Sequence, residues 1–87
     1  MYHVFFEKNA EKYLRKMDPT QQKILIAWVA KNLENTKNPR AHGQPLKGVL
    51  KDYWRYRVGD YRLIAEIDDN EIRIIIIKIG HRRDIYG

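Results

Sequence analysis

The sequence predicts an α+β fold with the element order β-α-α-β-β-β, and three features lead to this prediction. Apolar residues recur at helical spacing between residues 7 and 34. Segments after residue 53 are rich in β-branched and aromatic residues, and short turns separate them. With 87 residues, 44% of them hydrophobic, the chain can build one modest core. We therefore expect a single domain over residues 1–87, in which an N-terminal helical hairpin packs on a small, mainly antiparallel four-stranded sheet.

The first third of the chain predicts one strand and two helices. Residues 2–6 are aromatic and β-branched, which favours a strand. Residues 7–17 carry apolar side chains at positions i, i+3, i+4 and i+7, so one stripe of a helix faces the sheet. Asp18 is a good N-cap and Pro19 suits the first helical position, so a second helix begins there and runs to about Glu34.

The register of the first hairpin follows from its turn. Gly59-Asp60 suits a two-residue turn, with glycine first as a type II′ turn prefers. This turn places Arg57 directly opposite Arg62, with Arg55 two residues earlier on the same face. The other face of the two strands is a core face, formed by Trp54, Tyr56, Val58, Tyr61, Leu63 and Ala65.

Charge pairing differs between the two predicted hairpins. A second turn at Asp69-Asn70 would pair Glu66 with Arg73, which carry opposite charges. Arg57 and Arg62 carry like charges, and a directly opposed like pair costs up to about 1 kcal/mol. A sheet that pairs charges at one hairpin and opposes them at the other predicts an anion site at the opposed arginines. Phosphate is the expected anion, since arginine presents planar donors to it.

Two further segments complete the sheet and its surroundings. Residues 72–79 are apolar on both faces, which predicts a central strand covered on both sides, or one whose far face a partner covers. Residues 35–52 hold prolines and glycines and are predicted to be a loop. Lys47 and Lys51 in this loop are candidate phosphate-binding residues.

The overall composition limits the class of protein and its partners. There are 17 basic and 11 acidic residues, a net charge of +6, which predicts a polyanionic partner or an acidic protein partner. The absence of cysteine excludes disulfides and cysteine-based zinc sites and fits the cytoplasm. No stretch has the ~20 apolar residues of a membrane span, and the N-terminus is not that of a signal peptide. We expect no cofactor, no metal and no membrane association.

Four pieces of the sequence, taken in order, resemble a known family. They are Leu46-Lys47-Gly48, Arg55-x-Arg57, the run Gly59-Asp60-Tyr61-Arg62-Leu63, and the ending Gly80-His81-Arg82-Arg83-Asp84-Ile85-Tyr86. In a basic chain of this length and element order, they resemble the RelE family of bacterial toxins in the RelE/ParE superfamily. The similarity covers essentially the whole chain.

The resemblance implies a ribosome-dependent endoribonuclease that enters the ribosomal A site and cuts the mRNA codon there. The ribose 2′-OH attacks the adjacent phosphodiester, without a metal, and leaves a 2′,3′-cyclic phosphate and a 5′-OH. The resemblance also implies a cognate antitoxin that holds the toxin inactive. Operator DNA would be a partner only through the toxin–antitoxin complex.

The family's functional residues fall on five positions of this chain. Its strand bases and phosphate binders fall on Arg55 and Arg57, its central arginine on Arg62, its post-strand arginine on Arg82 and its C-terminal tyrosine on Tyr86. The best-studied family pattern has lysines at the first two positions. Arginine, with a pKa above about 12, is a poor general base.

A different residue is therefore needed to move the proton during 2′-OH attack. His81 is the only histidine in the C-terminal motif, and histidine titrates near neutral pH, so we hypothesise that it is the general base or acid. Arg55, Arg57 and Arg62 would clamp the phosphate, Arg82 would contact it or the leaving group, and Tyr86 would stack on a base or orient a phosphate. Trp28, Trp54 and His42 are expected to be structural or solvent-facing.

Two other functions remain open on the sequence. The first is a ParE-like toxin with the same fold and no nuclease activity, which binds DNA gyrase. The second is a non-toxic module that binds RNA or protein. The opposed arginines and the titratable C-terminal motif favour the nuclease, because a binding protein needs no converging cationic pocket.

Overall fold

Five strands form one sheet beside two helices in the computed structural model, which describes residues 1–84. The sheet order is β1-β5-β4-β3-β2; β1 pairs parallel with β5, and the other neighbours are antiparallel. This confirms the predicted α+β class. The bounds are β1 His3–Phe6, α1 Lys8–Lys16, α2 Pro19–Asn32, β2 Gln44–Pro45, a 3₁₀ turn Gly48–Leu50, β3 Tyr53–Val58, β4 Tyr61–Asp68 and β5 Arg73–His81.

The expected four strands become five because of β2, which lies in the predicted loop. Its two residues, Gln44 and Pro45, pair with Arg55 and Trp54 at the outer edge of β3. Two residues are too few to show an alternating pattern. The sequence therefore could not distinguish this strand from the loop around it.

The helices cover one face of the sheet. The Asp18 carboxylate accepts hydrogen bonds from the backbone N–H groups of Thr20 and Gln21, at 3.1 and 3.4 Å, so it is the predicted N-cap of α2. The helix ends at Asn32, two residues before the expected end. The largest fully buried side chains between helices and sheet are Tyr56, Leu25, Leu33, Leu63, Ile74 and Ile76. Neither helix has the length and apolar content needed to cross a membrane, within residues 1–84.

The first hairpin has the predicted register. Arg57 lies opposite Arg62, Val58 opposite Tyr61, and Gly59 takes a φ of +60° in the turn between them. Glycine adopts this left-handed conformation without a Cβ penalty. The core face is as expected, since Tyr56, Val58, Leu63 and Ala65 are all buried.

The predicted register of the second hairpin is wrong by two residues. Asp68, not Glu66, pairs with Arg73, and Glu66 lies opposite Ile75. The Asp68 carboxylate accepts hydrogen bonds from the backbone N–H groups of Asn70 and Glu71, each at 3.1 Å, and closes a longer loop. These bonds lower the pKa of Asp68, and the bond from the Glu71 N–H has the largest effect. Because the shift is an even number of residues, the side chains between this loop and Ala65 keep their predicted faces. A β-bulge between Ile64 and Ala65 then moves Ile79 to the core face, opposite Leu63.

β5 is the central strand that its apolar sequence predicts. It lies between β1 and β4, and Ile74, Ile76 and Ile79 are buried under the helices. Ile75 and Ile77 on the other face are only half-buried. On that second face, Ile77 lines a pocket together with Leu46 and Leu50 from the segment around the 3₁₀ turn.

Two hydrogen bonds, one from Tyr56 and one from Trp54, hold the chain between α2 and β2 against β3. The buried Tyr56 hydroxyl donates to the Pro39 carbonyl at 2.6 Å, and the Trp54 indole N–H donates to the His42 carbonyl at 2.6 Å. Burial raises the pKa of Tyr56, so its hydroxyl remains a donor. The loop is therefore fixed along the edge of the strand that carries Arg57.

Gly43 is required at the point where this loop meets β3. Its φ is +79°, and a Cβ there would overlap the Arg55 carbonyl oxygen. Gly48 has a similar φ of +67°, but a Cβ there would meet no atom within 4 Å. The two glycines therefore share the same backbone conformation and differ in the space around them.

We expect Gly43→Ala to lower the free energy of unfolding by about 2–5 kcal/mol, the sum of left-handed strain and steric overlap. Gly48→Ala should lower it by only about 1–2 kcal/mol, since strain alone acts there. Urea denaturation of both variants measures the difference. Equal losses would contradict the close approach at Gly43.

Candidate functional site

The site is built on the face of the β3–β4 hairpin that points away from the helices. In a two-residue hairpin the second pair from the turn is not hydrogen-bonded, so the Arg57 and Arg62 Cβ atoms lie about 4.5–5.5 Å apart. Arg55 precedes Arg57 by two residues on the same face. On the other side of Arg62, its neighbour on β5 is Gly80, which adds no side chain.

Two of these arginines are buried. Arg55 is 5% exposed and Arg62 is 9% exposed, whereas Arg57 is exposed. One terminal nitrogen of Arg62 donates to the carbonyl oxygens of Gly59 and Tyr61, at 3.2 and 3.1 Å. One terminal nitrogen of Arg55 donates to Gln44 Oε1 at 2.8 Å. Within residues 1–84, the Nε atoms of Arg55 and Arg62 are buried and have no hydrogen-bond partner.

No carboxylate among the described residues forms an ion pair with Arg55, Arg57 or Arg62. A buried charge without a counterion is costly, so such groups are normally paired. The pKa of Arg62 is lowered, mainly by burial and further by repulsion from Arg57, Arg55 and Arg82. The arrangement is a cationic site suited to bind an anion.

Arg82 joins this group from the end of β5. Its backbone N–H donates to the Asp60 carbonyl at 2.7 Å, and its Nε lies 3.7 Å from the Asp60 carboxylate. Both side chains are more than half exposed, so this ion pair is weak and can open. The turn that sets the hairpin register therefore also positions Arg82.

His81 is half-buried at the end of β5, opposite Tyr61. The two rings meet edge to face, with centroids 5.5 Å apart at 78°. The His81 Nδ1 accepts a hydrogen bond from the Arg83 backbone N–H at 3.2 Å, which assigns its neutral proton to Nε2. Proton transfer by His81 therefore requires the Nδ1 contact to open.

The remaining predicted site residues are not brought to this group. Lys47 and Lys51 flank the 3₁₀ turn beside the Tyr53 end of β3, about 13 Å along the strand from Arg57. Their role in phosphate binding stays a prediction. Tyr86 lies outside the described residues. No cluster of three or more His, Asp or Glu side chains within residues 1–84 could hold a metal ion.

Gln44 is a residue of the candidate site that the sequence did not indicate. It holds the guanidinium of Arg55 in place and lies next to Arg55 because β2 pairs with β3. The only sequence signal was a glutamine after a glycine in a basic loop. That signal does not identify a strand partner.

Comparisons with known proteins agree with this fold. The family model described as "ParE toxin of type II toxin-antitoxin system, parDE" matches residues 4–86. Toxin RelG of Mycobacterium tuberculosis is 32% identical over 85 residues, covering 98% of this chain and 95% of its own. Toxin RelE of the same organism is 33% identical over 85 residues, covering 98% of this chain and 86% of its own.

A solved structure shows the same fold. The toxin–antitoxin complex RelBE2 of Mycobacterium tuberculosis superposes with a TM-score of 0.83 at 30% identity, covering 93% of this chain and 91% of that chain. The chain therefore belongs to the RelE family of the RelE/ParE superfamily, the toxins of type II toxin–antitoxin systems.

The opposed arginines predict an unusual response to mutation. We expect Arg57→Gln to raise the free energy of unfolding by up to about 1 kcal/mol, because it removes a like-charge pair. The same variant should lose most of the extra stabilisation that inorganic phosphate gives the wild type. Thermal unfolding across a phosphate series measures both quantities.

Lys23→Gln on α2 is the charge-matched control, since this exposed lysine leaves the hairpin unchanged. It corrects for the general effect of phosphate on burial. An Arg57→Gln protein that is less stable than wild type, with an undiminished response to phosphate, would contradict the anion site.

Proposed function

We propose that this toxin is a ribosome-dependent mRNA endonuclease that cuts the codon in the ribosomal A site. The observation that carries the proposal is the buried Arg62, which has no carboxylate partner in the described chain and lies among three other arginines. Attack by the ribose 2′-OH on the adjacent phosphodiester would leave a 2′,3′-cyclic phosphate and a 5′-OH.

The arginines stabilise the charge that develops during this reaction. The phosphorane carries more negative charge than the diester, and donors that are already in place stabilise it without reorganisation. Gln44 holds the Arg55 guanidinium and two backbone carbonyls hold that of Arg62, so both charges are already in place. Arg57 and Arg82 are more exposed and can close on the phosphate from solvent.

The ribosome supplies what the isolated site lacks. The cationic group lies on an open face of the sheet, and in-line attack needs the 2′-OH and the phosphate to be held in one geometry. A codon fixed in the A site provides that geometry. We place the toxin in the cytoplasm as a single domain over residues 1–87, where it meets translating ribosomes.

A cognate antitoxin is the second proposed partner. The relative from Mycobacterium tuberculosis was solved as a toxin–antitoxin complex. A net charge of +6 on this chain favours an acidic partner. The antitoxin would hold the toxin inactive, and operator DNA would be bound only by the complex.

The description of the matched family model favours a second candidate, a ParE-like toxin that binds DNA gyrase without cutting RNA. This candidate has no use for a buried arginine that lacks a counterion. The effect of Arg62 on message cleavage therefore separates the two.

We expect Arg62→Ala to reduce A-site cleavage by about 10²–10³-fold, the usual loss when one preorganised donor is removed. Mapping of 5′ ends on one defined message, with translating ribosomes and with free RNA, measures the cut. Lys23→Ala is the control and should cut at the wild-type rate. A toxin that stops growth while leaving the message uncut would overturn the nuclease in favour of gyrase binding.

His81 needs a pair of variants, because its ring also closes a turn. Asparagine can still accept the Arg83 N–H bond but cannot titrate in this range, whereas alanine removes both functions. If His81 moves a proton, His81→Asn and His81→Ala should both lose about 10²–10⁴-fold in cleavage rate. A purely structural histidine would leave His81→Asn near wild type.

The dependence of the wild-type cleavage rate on pH shows whether His81 accepts or donates the proton. A histidine base must be neutral, so the cleavage rate would fall on acidification; a histidine acid must be protonated, so the rate would fall as the pH rises. The corresponding fall in cleavage rate should be absent in His81→Asn.

A further inference from the structure

A cavity of about 350 Å³ lies beside the arginines and has no role in the mechanism above. It is lined by Trp28, His42, Gly43, Gln44, Arg55 and Arg57. β2 pairs only with Arg55 and Trp54, so no strand covers the edge of β3 beyond Arg55 in the described chain. The cavity is therefore open to solvent at this edge and continuous with the candidate phosphate site.

One wall of the cavity is aromatic. Trp28 is half-buried on α2, and its ring meets the exposed His42 ring edge to face, with centroids 5.7 Å apart at 71°. The buried Tyr56 ring packs against the Trp28 ring, with centroids 5.9 Å apart. Histidine and tryptophan both present flat π surfaces on which a nucleobase can stack.

The His42 side of this wall is fixed before any ligand arrives. The His42 carbonyl accepts the Trp54 indole N–H at 2.6 Å, and Gly43 packs directly against the Arg55 carbonyl. A wall that is already ordered loses little entropy when it binds. The cavity therefore has the character of a preformed site.

The other wall is cationic and is shared with the phosphate site. Arg55 and Arg57 line the cavity, and the buried Arg55 Nε has no partner within residues 1–84. An aromatic surface beside arginines matches a nucleotide, whose base stacks while its phosphate meets the cations. The volume lies within the range of sites that bind small molecules.

We propose that this cavity binds the base of the nucleotide adjacent to the cleaved phosphate. The base stacks on the exposed His42 ring and meets the Trp28 ring, which holds His42 edge to face. The inference rests on the proposed nuclease function and adds a base-binding subsite to it. Stacking tolerates any base but strengthens with ring area, so a purine binds more tightly than a pyrimidine. Trp28 and His42 thus contribute to the choice of codon.

The test compares ligands that differ only in the base. AMP and ribose 5-phosphate share the sugar and the phosphate, and NMR titration of the free protein gives the dissociation constant of each. We expect AMP to bind about tenfold more tightly than ribose 5-phosphate, which is the usual scale of one stacked base. The dissociation constant of UMP should lie between those of AMP and ribose 5-phosphate.

Two substitutions and one control locate the effect. His42→Ser removes an exposed ring, and Trp28→Leu removes the half-buried one. Both should bring the AMP to ribose 5-phosphate ratio close to one while leaving ribose 5-phosphate affinity unchanged. Phe5→Ser, which removes an exposed aromatic ring from β1 at the other end of the sheet order, should keep the tenfold ratio.

Equal binding of AMP and ribose 5-phosphate to the wild type would overturn the base subsite, as would a tenfold ratio that survives in His42→Ser. Either result leaves Arg62-dependent cleavage untouched, so the nuclease can stand without the subsite. Base-dependent binding by a protein that cuts no message supports the subsite and overturns the nuclease.

Discussion

The register between β3 and β4 determines where every charged group of the site lies. Tyr56 and Leu63 are fully buried on the core face, and each contributes about 1.5–3 kcal/mol by leaving water. A slip of one residue would expose them and turn Arg57 and Arg62 into the core. Burial on one face of the hairpin is worth more than the repulsion of about 1 kcal/mol on the other, so the core holds the arginines together.

An arginine outside the site, Arg40, is paired with a carboxylate, unlike Arg55, Arg57 and Arg62. Arg40 donates to both carboxylate oxygens of Asp69 at 3.1 and 3.0 Å, and Tyr2 donates to the same carboxylate. These bonds lower the pKa of Asp69, as expected for a carboxylate that accepts them. Arg40 therefore has a carboxylate partner, whereas Arg55, Arg57 and Arg62 have none among the described residues.

The loop between α2 and β2 connects the helical layer to the site. It touches Trp28 on the helix side and Trp54 on the strand side, and it ends in Gln44, which holds Arg55. One segment thus shapes the cavity and orients a member of the cationic group. A change in this loop would alter both the placement of Arg55 and the aromatic wall.

The sequence by itself determined the fold class, the first hairpin and the opposed arginines, because these follow from short-range rules. Side-chain alternation and a glycine-first turn place Arg57 opposite Arg62 without knowledge of the rest of the chain. The tertiary structure alone decided the second hairpin, where Asp68 closes the loop by accepting backbone N–H groups, and the pairing of β2 with β3. It also decided that Arg62 is buried, that His81 is held by Arg83, and that Trp28 meets His42. The burial of Arg62, the contact of Trp28 with His42 and the pairing of β2 bring together segments that are far apart in the sequence, so the local pattern of residues does not encode them. The Asp68 and His81 bonds are local, but the sequence alone does not show which polar side chain closes each turn.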